Sequence, residues 1–178
     1  ALSMSTDGNW LAAGYAEKGG LVPQTGQTLP ANAGQVAVYR YQSNTWAWHS
    51  SPVAPAPRAN DRFGTSLALV NGANGPQLLV GAPEDGAPHK GVMRAADIVP
   101  VNLPSPAEAG AAYCFVGNAS DPSRPLTLKA RLKSPDPQNQ QWLGQATALT
   151  QDGNEFLLSG MYDGDPRALF PNVIFFGY

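Results

Sequence analysis

The side chains most able to do chemistry in this sequence are acids that recur at one spacing. Each stands three residues after a glycine that closes an apolar stretch: Glu17, Glu84 and Asp163 follow Gly14, Gly81 and Gly160. Carboxylates held on one surface could receive a cation or a basic partner. Alternatively, each acid accepts backbone N–H groups and holds its own loop open. We favour the second interpretation, because recurrence within a repeat usually reflects shared architecture.

Most other charged candidates lie in the longest irregular stretch, from Glu84 to Ala109. Long loops on a rigid scaffold are common recognition sites, and several prolines stiffen this one. The candidate ligand-binding side chains here are Asp85, His89, Arg94 and Asp97. A further acid pair, Asp163 and Asp165, follows Gly160. It is a weak metal site, because two carboxylates from one short segment need further ligands.

Catalytic motifs are missing from the sequence. Its two histidines, His49 and His89, lie far apart, and no nucleophile elbow, phosphate-binding loop or zinc helix can be found. The single cysteine, Cys114, excludes an intrachain disulfide and a zinc site built on several thiolates. In its apolar setting we expect Cys114 to be a small strand residue. The sequence therefore favours a role without catalysis.

Charge and hydropathy exclude two classes of partner. The formal net charge is −2 and the 11 basic residues are scattered, so no basic stripe for nucleic acid is present. The longest apolar runs, such as 78–82, are too short to span a bilayer. We therefore expect neither a nucleic-acid partner nor a membrane span.

The elements that must position these residues are short strands. In the middle of the chain, residues 63–70 lead into the turn 71–75 and then into a second strand, 78–83. A long loop follows, then a third strand at 110–116 rich in aromatic and β-branched residues. Residues 126–132 alternate apolar and polar side chains, which predicts a half-exposed outer strand.

The same order occurs twice more along the chain. Before the middle copy, strands are expected at 1–5, 10–14, 34–39 and 46–48, and after it at 143–149, 156–160 and 172–176. Asp-Gly pairs at 7–8 and 152–153 suit the hairpin turns of these copies. Four short antiparallel strands in each repeat are typical of propeller blades rather than of a sandwich.

Two stretches carry a resemblance to a known family. Phe63-Gly64 and Leu79-Val80-Gly81-Ala82-Pro83 resemble the FG-GAP repeat of integrin α-subunits. The sequence of residues 5–12, Ser-Thr-Asp-Gly-Asn-Trp-Leu-Ala, is similar to that of bacterial FG-GAP proteins. The resemblance covers nearly the whole chain. It implies an all-β fold of β-propeller blades, each with four antiparallel strands.

The resemblance also implies how the chain is divided. We expect one propeller segment over 1–178, with repeats at 1–60, 61–140 and 141–178. The first lacks its opening and the last is truncated, at about two and a half repeats in all. Because the chain opens at Ala1, processing or a longer parent protein is expected.

In integrins, the face that carries the loops between second and third strands is used for ligand. The resemblance thus implies a binding or adhesion module, extracellular or at the cell surface, with a protein or glycan partner. Integrin-like repeats often hold calcium in the first turn, but the middle turn here, 69–77, has no carboxylate. We therefore expect no cofactor, and interpret Asp7 and Asp152 as turn formers.

The sequence is also compatible with two other functions. FG-GAP propellers also occur as parts of secreted hydrolases, so an enzyme is the main rival. Alternatively, the chain is a structural subunit of a large assembly. A closed propeller needs about four to eight blades, and an open blade edge would invite completion by another chain.

Overall fold

The regular structure of the described residues is almost entirely antiparallel β-sheet, in agreement with the all-β class that the sequence predicts. The structure is a computed structural model that describes residues 1–22, 24–98 and 108–160 and the backbone of 173–177. Apart from one 3-10 turn, Ala95–Asp97, its regular elements are strands. In chain order these are β1 Leu2–Met4, β2 Trp10–Tyr15, β3 Gly20–Leu21, β4 Thr28–Leu29, β5 Gln35–Gln42, β6 Thr45–Ser50, β7 Ser66–Gly72, β8 Gly75–Ala82, β9 Val92–Arg94, β10 Ala111–Val116, β11 Thr127–Leu132, β12 Ala146–Leu149, β13 Glu155–Ser159 and β14 Val173–Gly177.

The strands form three main sheets that follow the three copies of the sequence pattern. The first sheet has the order β1-β2-β5-β6, the second β7-β8-β10-β11-β9, and the third β12-β13-β14. A two-stranded ribbon, β3-β4, lies in the loop of the first sheet. Every pair of neighbouring strands is antiparallel. Within the described part of the chain, no helix has the length and apolar character needed to cross a membrane.

The long loop of the second sheet contains a strand that the sequence did not predict. Val92–Arg94 forms β9, which pairs with β11 and adds a fifth strand at the outer edge. The free backbone groups of an edge strand favour such pairing. With β9 in place, the predicted half-exposed strand β11 is buried on both faces from Ala130 to Leu132.

Adjacent sheets pack face to face through apolar side chains, and β7 contacts β1, β2 and β12. Between the first and second sheets the core includes Trp10, Val38, Phe63, Tyr113 and Phe115. Between the second and third sheets it includes Leu79, Cys114, Leu132, Leu143 and Phe156. Cys114 is 1% exposed and lies in β10, so the expectation of a buried strand residue is confirmed.

The two connections between sheets have the same geometry. The Phe63 N–H donates to the Ala33 carbonyl at 2.9 Å, and the Leu143 N–H donates to the Ala109 carbonyl at 3.1 Å. The glycine that follows each of them has φ near +95°, a region that favours glycine. The chain therefore enters the second and third sheets along one repeated path.

The sequence pattern matches Gly160 of the third copy to Gly81 of the second, and this assignment is wrong. The ladders pair Ser66 with Gly81 and Ala146 with Ser159, so Ser159 rather than Gly160 corresponds to Gly81. Glycine is required at 81 because a Cβ there would lie 2.0 Å from the Gly144 carbonyl oxygen. Among the described residues, no further sheet packs against Ser159, so a side chain is tolerated at that position. The three acids therefore do not share one spacing from equivalent positions.

Candidate functional site

A buried ionic cluster holds the first part of the loop between β8 and β10. Asp85 follows β8 by three residues, and its side chain is 1% exposed. Its Oδ1 accepts hydrogen bonds from Arg131 Nη2 at 2.6 Å and from the Ala87 N–H at 2.8 Å. Its Oδ2 accepts a hydrogen bond from the Tyr113 hydroxyl. We call Asp85, Tyr113, Arg131 and Lys133 the Asp85 network.

Lys133 fixes the backbone of the same loop. Its Nζ donates to the Asp85 carbonyl at 2.9 Å and to the Ala87 carbonyl at 2.8 Å, and it lies 3.4 Å from Asp85 Oδ1. An ammonium group that is 1% exposed is stable only with such partners. The loop is therefore joined to the end of β11 through backbone as well as side-chain atoms.

The charges of the Asp85 network change the pKa values of its members. Burial acts to raise the pKa of Asp85, but Lys133 and Arg131 outweigh it and hold that pKa below its ordinary value. Burial lowers the pKa of Lys133 to about 8, against the attraction of Asp85. Burial also raises the pKa of Tyr113, and the neighbouring Asp85 carboxylate adds to the effect. Asp85 is therefore an anion and Tyr113 a hydrogen-bond donor at neutral pH.

Three further polar groups surround the network. Asp61 is 4% exposed and accepts a hydrogen bond from the Arg58 N–H at 2.7 Å. Burial, together with the charge of Asp85, raises the pKa of Asp61 to about 7. The Arg58 guanidinium donates to the Gly86 carbonyl at 3.0 Å. His89 Nδ1 lies 3.0 Å from Arg131 Nη1, and burial together with that cation lowers the pKa of His89.

The first sheet anchors its corresponding loop with apolar side chains instead. Val53 and Lys133 stand the same number of residues before Gly64 and Gly144. Val53 packs on a small core of Val22, Leu29 and Ala33, all of which belong to the loop between β2 and β5. The same position in the repeat thus joins the loop to its sheet in both copies, by apolar contact in one and by charge in the other.

The remaining predicted site residues are spread over the surface. Glu84 forms an ion pair with Arg62 at 3.0 Å, and burial raises the pKa of Glu84 despite that cation. Glu17 is exposed in the first sheet's loop. Arg94 in β9 and Asp97 in the 3-10 turn are also exposed. Asp163 and Asp165 lie outside the residues that the structure describes.

Of the predicted residues, the structure therefore brings together Asp85 and His89, which both contact Arg131. Glu84 is next to Asp85 but faces Arg62. Four residues of the site were not predicted from the sequence: Asp61, Tyr113, Arg131 and Lys133. Arg131 occupies a polar position in the alternating pattern of 126–132. That pattern predicts an exposed side chain, yet Arg131 is 3% exposed. No local sequence signal marks it as buried.

The acids of the hairpin turns bind their own backbone, as predicted. Asp7 accepts hydrogen bonds from the Ser5 hydroxyl at 2.5 Å and from the Asn9 N–H at 3.1 Å. Asp152 makes the same two hydrogen bonds at 2.6 and 3.1 Å. Asp7 also accepts a hydrogen bond from Asn71 of the second sheet at 2.7 Å. Burial acts to raise the pKa of Asp7, but the hydrogen bonds from Ser5, Asn71 and Asn9 together outweigh it and lower that pKa to about 2.

A polar cleft of about 340 Å³ lies at the opposite end of the strands from the Asp85 network. Trp10, Arg40, Tyr41 and Asn71 are among its lining residues. Arg40 donates to the Pro122 carbonyl at 3.2 Å, which joins the first sheet to the loop between β10 and β11. The lining includes no acid or histidine that could act as a general base.

Comparison with known proteins adds no family to this description. No family model matches the sequence, and no curated protein matches it. The resemblance of 63–64 and 79–83 to FG-GAP repeats remains an expectation from the sequence.

Proposed function

We propose that the chain is a non-catalytic binding module whose three sheets are successive blades of an FG-GAP-type β-propeller. It recognises a protein or glycan partner through the loop between β8 and β10. Following the FG-GAP resemblance, it works outside the cell or at its surface. The observation that carries this proposal is the Asp85 network, which fixes the base of that loop to its sheet.

The propeller arrangement is supported by the way the sheets follow one another. Each main sheet is antiparallel, and the second packs one face on the first sheet and the other on the third. The two connections repeat the same hydrogen bonds and the same positive φ. A unit that stacks only on its sequence neighbours through a repeated junction is typical of repeat architectures.

The described part of the loop between β8 and β10 is suited to recognition because its base is buried while side chains further along it are exposed. Asp85 and Ala87 are held by Lys133, whereas Lys90, Arg94 and Asp97 are exposed. A loop fixed before binding loses less conformational entropy when a partner binds. The exposed charges would then give specificity for polar groups of the partner.

Catalysis is not supported by the groups with perturbed pKa values. Asp85 and Tyr113 are almost fully buried, and the Asp85 carboxylate already accepts several hydrogen bonds. The contact between His49 Nδ1 and Ser50 Oγ, at 2.9 Å, resembles a nucleophile and its base. Ser50, however, is 4% exposed and cannot reach a substrate.

The proposal is tested with two probes of defined chemistry: a phage-displayed library of random peptides and a printed glycan array. The wild-type chain should select binders from at least one of them. Lys90→Glu or Arg94→Glu should weaken that binding at least about tenfold, as expected for loss of a charged contact.

The matched control is Arg124→Glu, which makes the same charge change in the loop between β10 and β11. This variant should bind like the wild type. If neither probe yields a binder, or if the loop variants bind as well as Arg124→Glu, the assignment of the recognition loop is wrong.

A further inference from the structure

An arginine without a counter-ion lines the polar cleft between the first two sheets. Arg40 Nη1 donates to the Pro122 carbonyl at 3.2 Å, and its guanidinium carbon lies 5.6 Å from the centre of the Trp10 ring. These contacts fix the side chain between the first sheet and the loop between β10 and β11. Among the described residues, no carboxylate pairs with Arg40, and its other N–H groups make no hydrogen bond. The cleft therefore presents a fixed cation whose donors are only partly used.

Two amide side chains that line the same cleft are oriented by one carboxylate. Asn9 Nδ2 and Asn71 Nδ2 both donate to Asp7 Oδ2, at 3.0 and 2.7 Å. None of the described residues donates a hydrogen bond to the Oδ1 atom of either amide. Both oxygens are thus left as acceptors, and hydroxyl groups are donors that can use them without adding charge.

The other charges near the cleft are already paired or hydrogen-bonded. Asp7 accepts four hydrogen bonds and is not part of the lining. Asp121 and Arg124, in the loop between β10 and β11, form an ion pair at 3.0 Å. A guanidinium is suited to the planar oxygens of a carboxylate or a phosphate. With Asp7 behind the amides, one cation matches a single negative charge better than the double charge of a phosphate.

We propose that the cleft binds a small hydroxylated carboxylate of the sugar-acid class. Arg40 holds the carboxylate, and Asn9 and Asn71 accept hydrogen bonds from the hydroxyl groups. The cleft volume of about 340 Å³ is at the lower end of the range for small-molecule sites, about 300–1,000 Å³, which suits one free sugar ring. The cleft is at the opposite end of the strands from the loop between β8 and β10, so the inference does not depend on the proposed function.

Amide chemical-shift titration of the 178-residue chain tests the site with three matched sugars. D-glucuronate, D-glucose and glucose 6-phosphate share one ring and carry a carboxylate, a hydroxymethyl group and a phosphate ester. Glucuronate should shift the amides of Gly72, Gly75 and Ala119 and bind at least about tenfold more tightly than the other two. Acetate, a carboxylate without hydroxyl groups, should also bind at least about tenfold more weakly.

Two substitutions at one position test the role of the guanidinium. Arg40→Gln should weaken glucuronate binding at least about tenfold, as for loss of hydrogen bonds to a charged group. Arg40→Lys keeps the charge but loses the planar fork, so its affinity should lie between those of Arg40→Gln and the wild type. The amide spectrum of each variant establishes that it is folded, and if Arg40→Gln does not fold, Arg40→Lys against the wild type decides.

The matched control is Arg124→Gln, which removes the same charge from the loop that contributes Pro122 but does not line the cleft. Lys90→Glu, in the loop between β8 and β10, is a second control, and both should bind glucuronate like the wild type. No shift at these amides up to about 50 mM glucuronate overturns the proposal. Equal binding of glucose, tighter binding of glucose 6-phosphate or acetate, or unchanged affinity in the Arg40 variants also overturns it.

Discussion

Replacing Asp85 with alanine removes the carboxylate with which both Arg131 and Lys133 form ion pairs. Both cations are buried, with side-chain exposures of 3% and 1%. The substitution also frees the Tyr113 hydroxyl and the Ala87 N–H, which donate to the same carboxylate. Asp85→Ala therefore leaves two cations and two donors inside the protein without their partner.

The two cations respond differently, and this sets the size of the effect. Burial has lowered the pKa of Lys133 to about 8 even with Asp85 raising it, so without Asp85 its ammonium can lose a proton at pH 7 for less than about 1.4 kcal/mol. An arginine keeps its charge. Arg131 thus remains as a buried unpaired cation, a situation that costs about 3–5 kcal/mol. This is a large part of the total stability of an ordinary domain, about 5–15 kcal/mol.

Urea unfolding followed by tryptophan fluorescence measures the loss. Asp85→Ala should lower the free energy of unfolding by about 3–5 kcal/mol. Hydrogen exchange should accelerate first at residues 83–91. Asp97→Ala, in the exposed part of the same loop, is the control and should change stability by less than about 0.5 kcal/mol. If Asp85→Ala costs under about 1 kcal/mol, the network does not hold the loop.

The apolar anchor of the first sheet suggests a complementary variant. A triple replacement, Asp85→Leu with Arg131→Met and Lys133→Met, removes all three charges at once. Because no unpaired ion is left, it should recover most of the stability lost by Asp85→Ala. A triple variant as unstable as the single one would show that packing rather than charge explains the loss.

Three further predictions follow from equivalent positions and from one raised pKa. Gly81→Ser should lower the free energy of unfolding by more than about 2 kcal/mol, because its Cβ would meet a carbonyl oxygen. Ser159→Gly, at the equivalent position of the third sheet, should lower it by less than about 1 kcal/mol. Similar losses in the two variants would contradict the register. Asp61 has a pKa raised from 3.8 to about 7, so wild-type stability should fall relative to Asp61→Asn as the pH rises from about 4 to 7 in urea titrations, and parallel pH profiles would refute this. Asp7→Ala and Asp152→Ala should each lower the free energy of unfolding by about 1 kcal/mol in thermal unfolding. The loss should be larger for Asp7→Ala, because Asp7 also accepts a hydrogen bond from Asn71 of the second sheet, and a reversed order would count against that contact.

The strands and turns could be predicted because their signals are local. Short apolar runs bounded by glycine or Asp-Gly pairs coincide with the strands of the three main sheets, apart from β9. The hairpin acids Asp7 and Asp152 form the expected turns because each binds atoms only two residues away. Only the all-β antiparallel architecture is shown by the structure, and the propeller remains a proposal.

Equivalent positions could not be assigned from local signals alone. The glycine at 81 is required by the next sheet, which begins more than sixty residues later. In the third copy, Gly160 approaches a different group, the Gln141 carbonyl, at 2.5 Å from an added Cβ. These two glycines therefore make different contacts. Matching Gly160 to Gly81 by residue type misaligned the third copy by one residue.

The site was predicted in part, because half of it comes from distant strands. Asp85 and His89 were identified by their place in a long loop, but Arg131 and Lys133 lie more than forty residues further along the chain. Their burial depends on β9 and the loop folding over the end of β11. Such covering is a tertiary effect that strand alternation does not report.

Amide chemical-shift mapping tests the recognition surface most directly. A peptide or glycan selected on the wild-type chain is titrated into the isotopically labelled protein, and the shifted amides are assigned. We predict that the largest changes fall between Glu84 and Ile98, with little change at the hairpin turns around Asp7 and Asn71. Changes concentrated at those turns or around the exposed Leu2, Met4 and Trp48, with the loop unaffected, would contradict the proposed role of the loop.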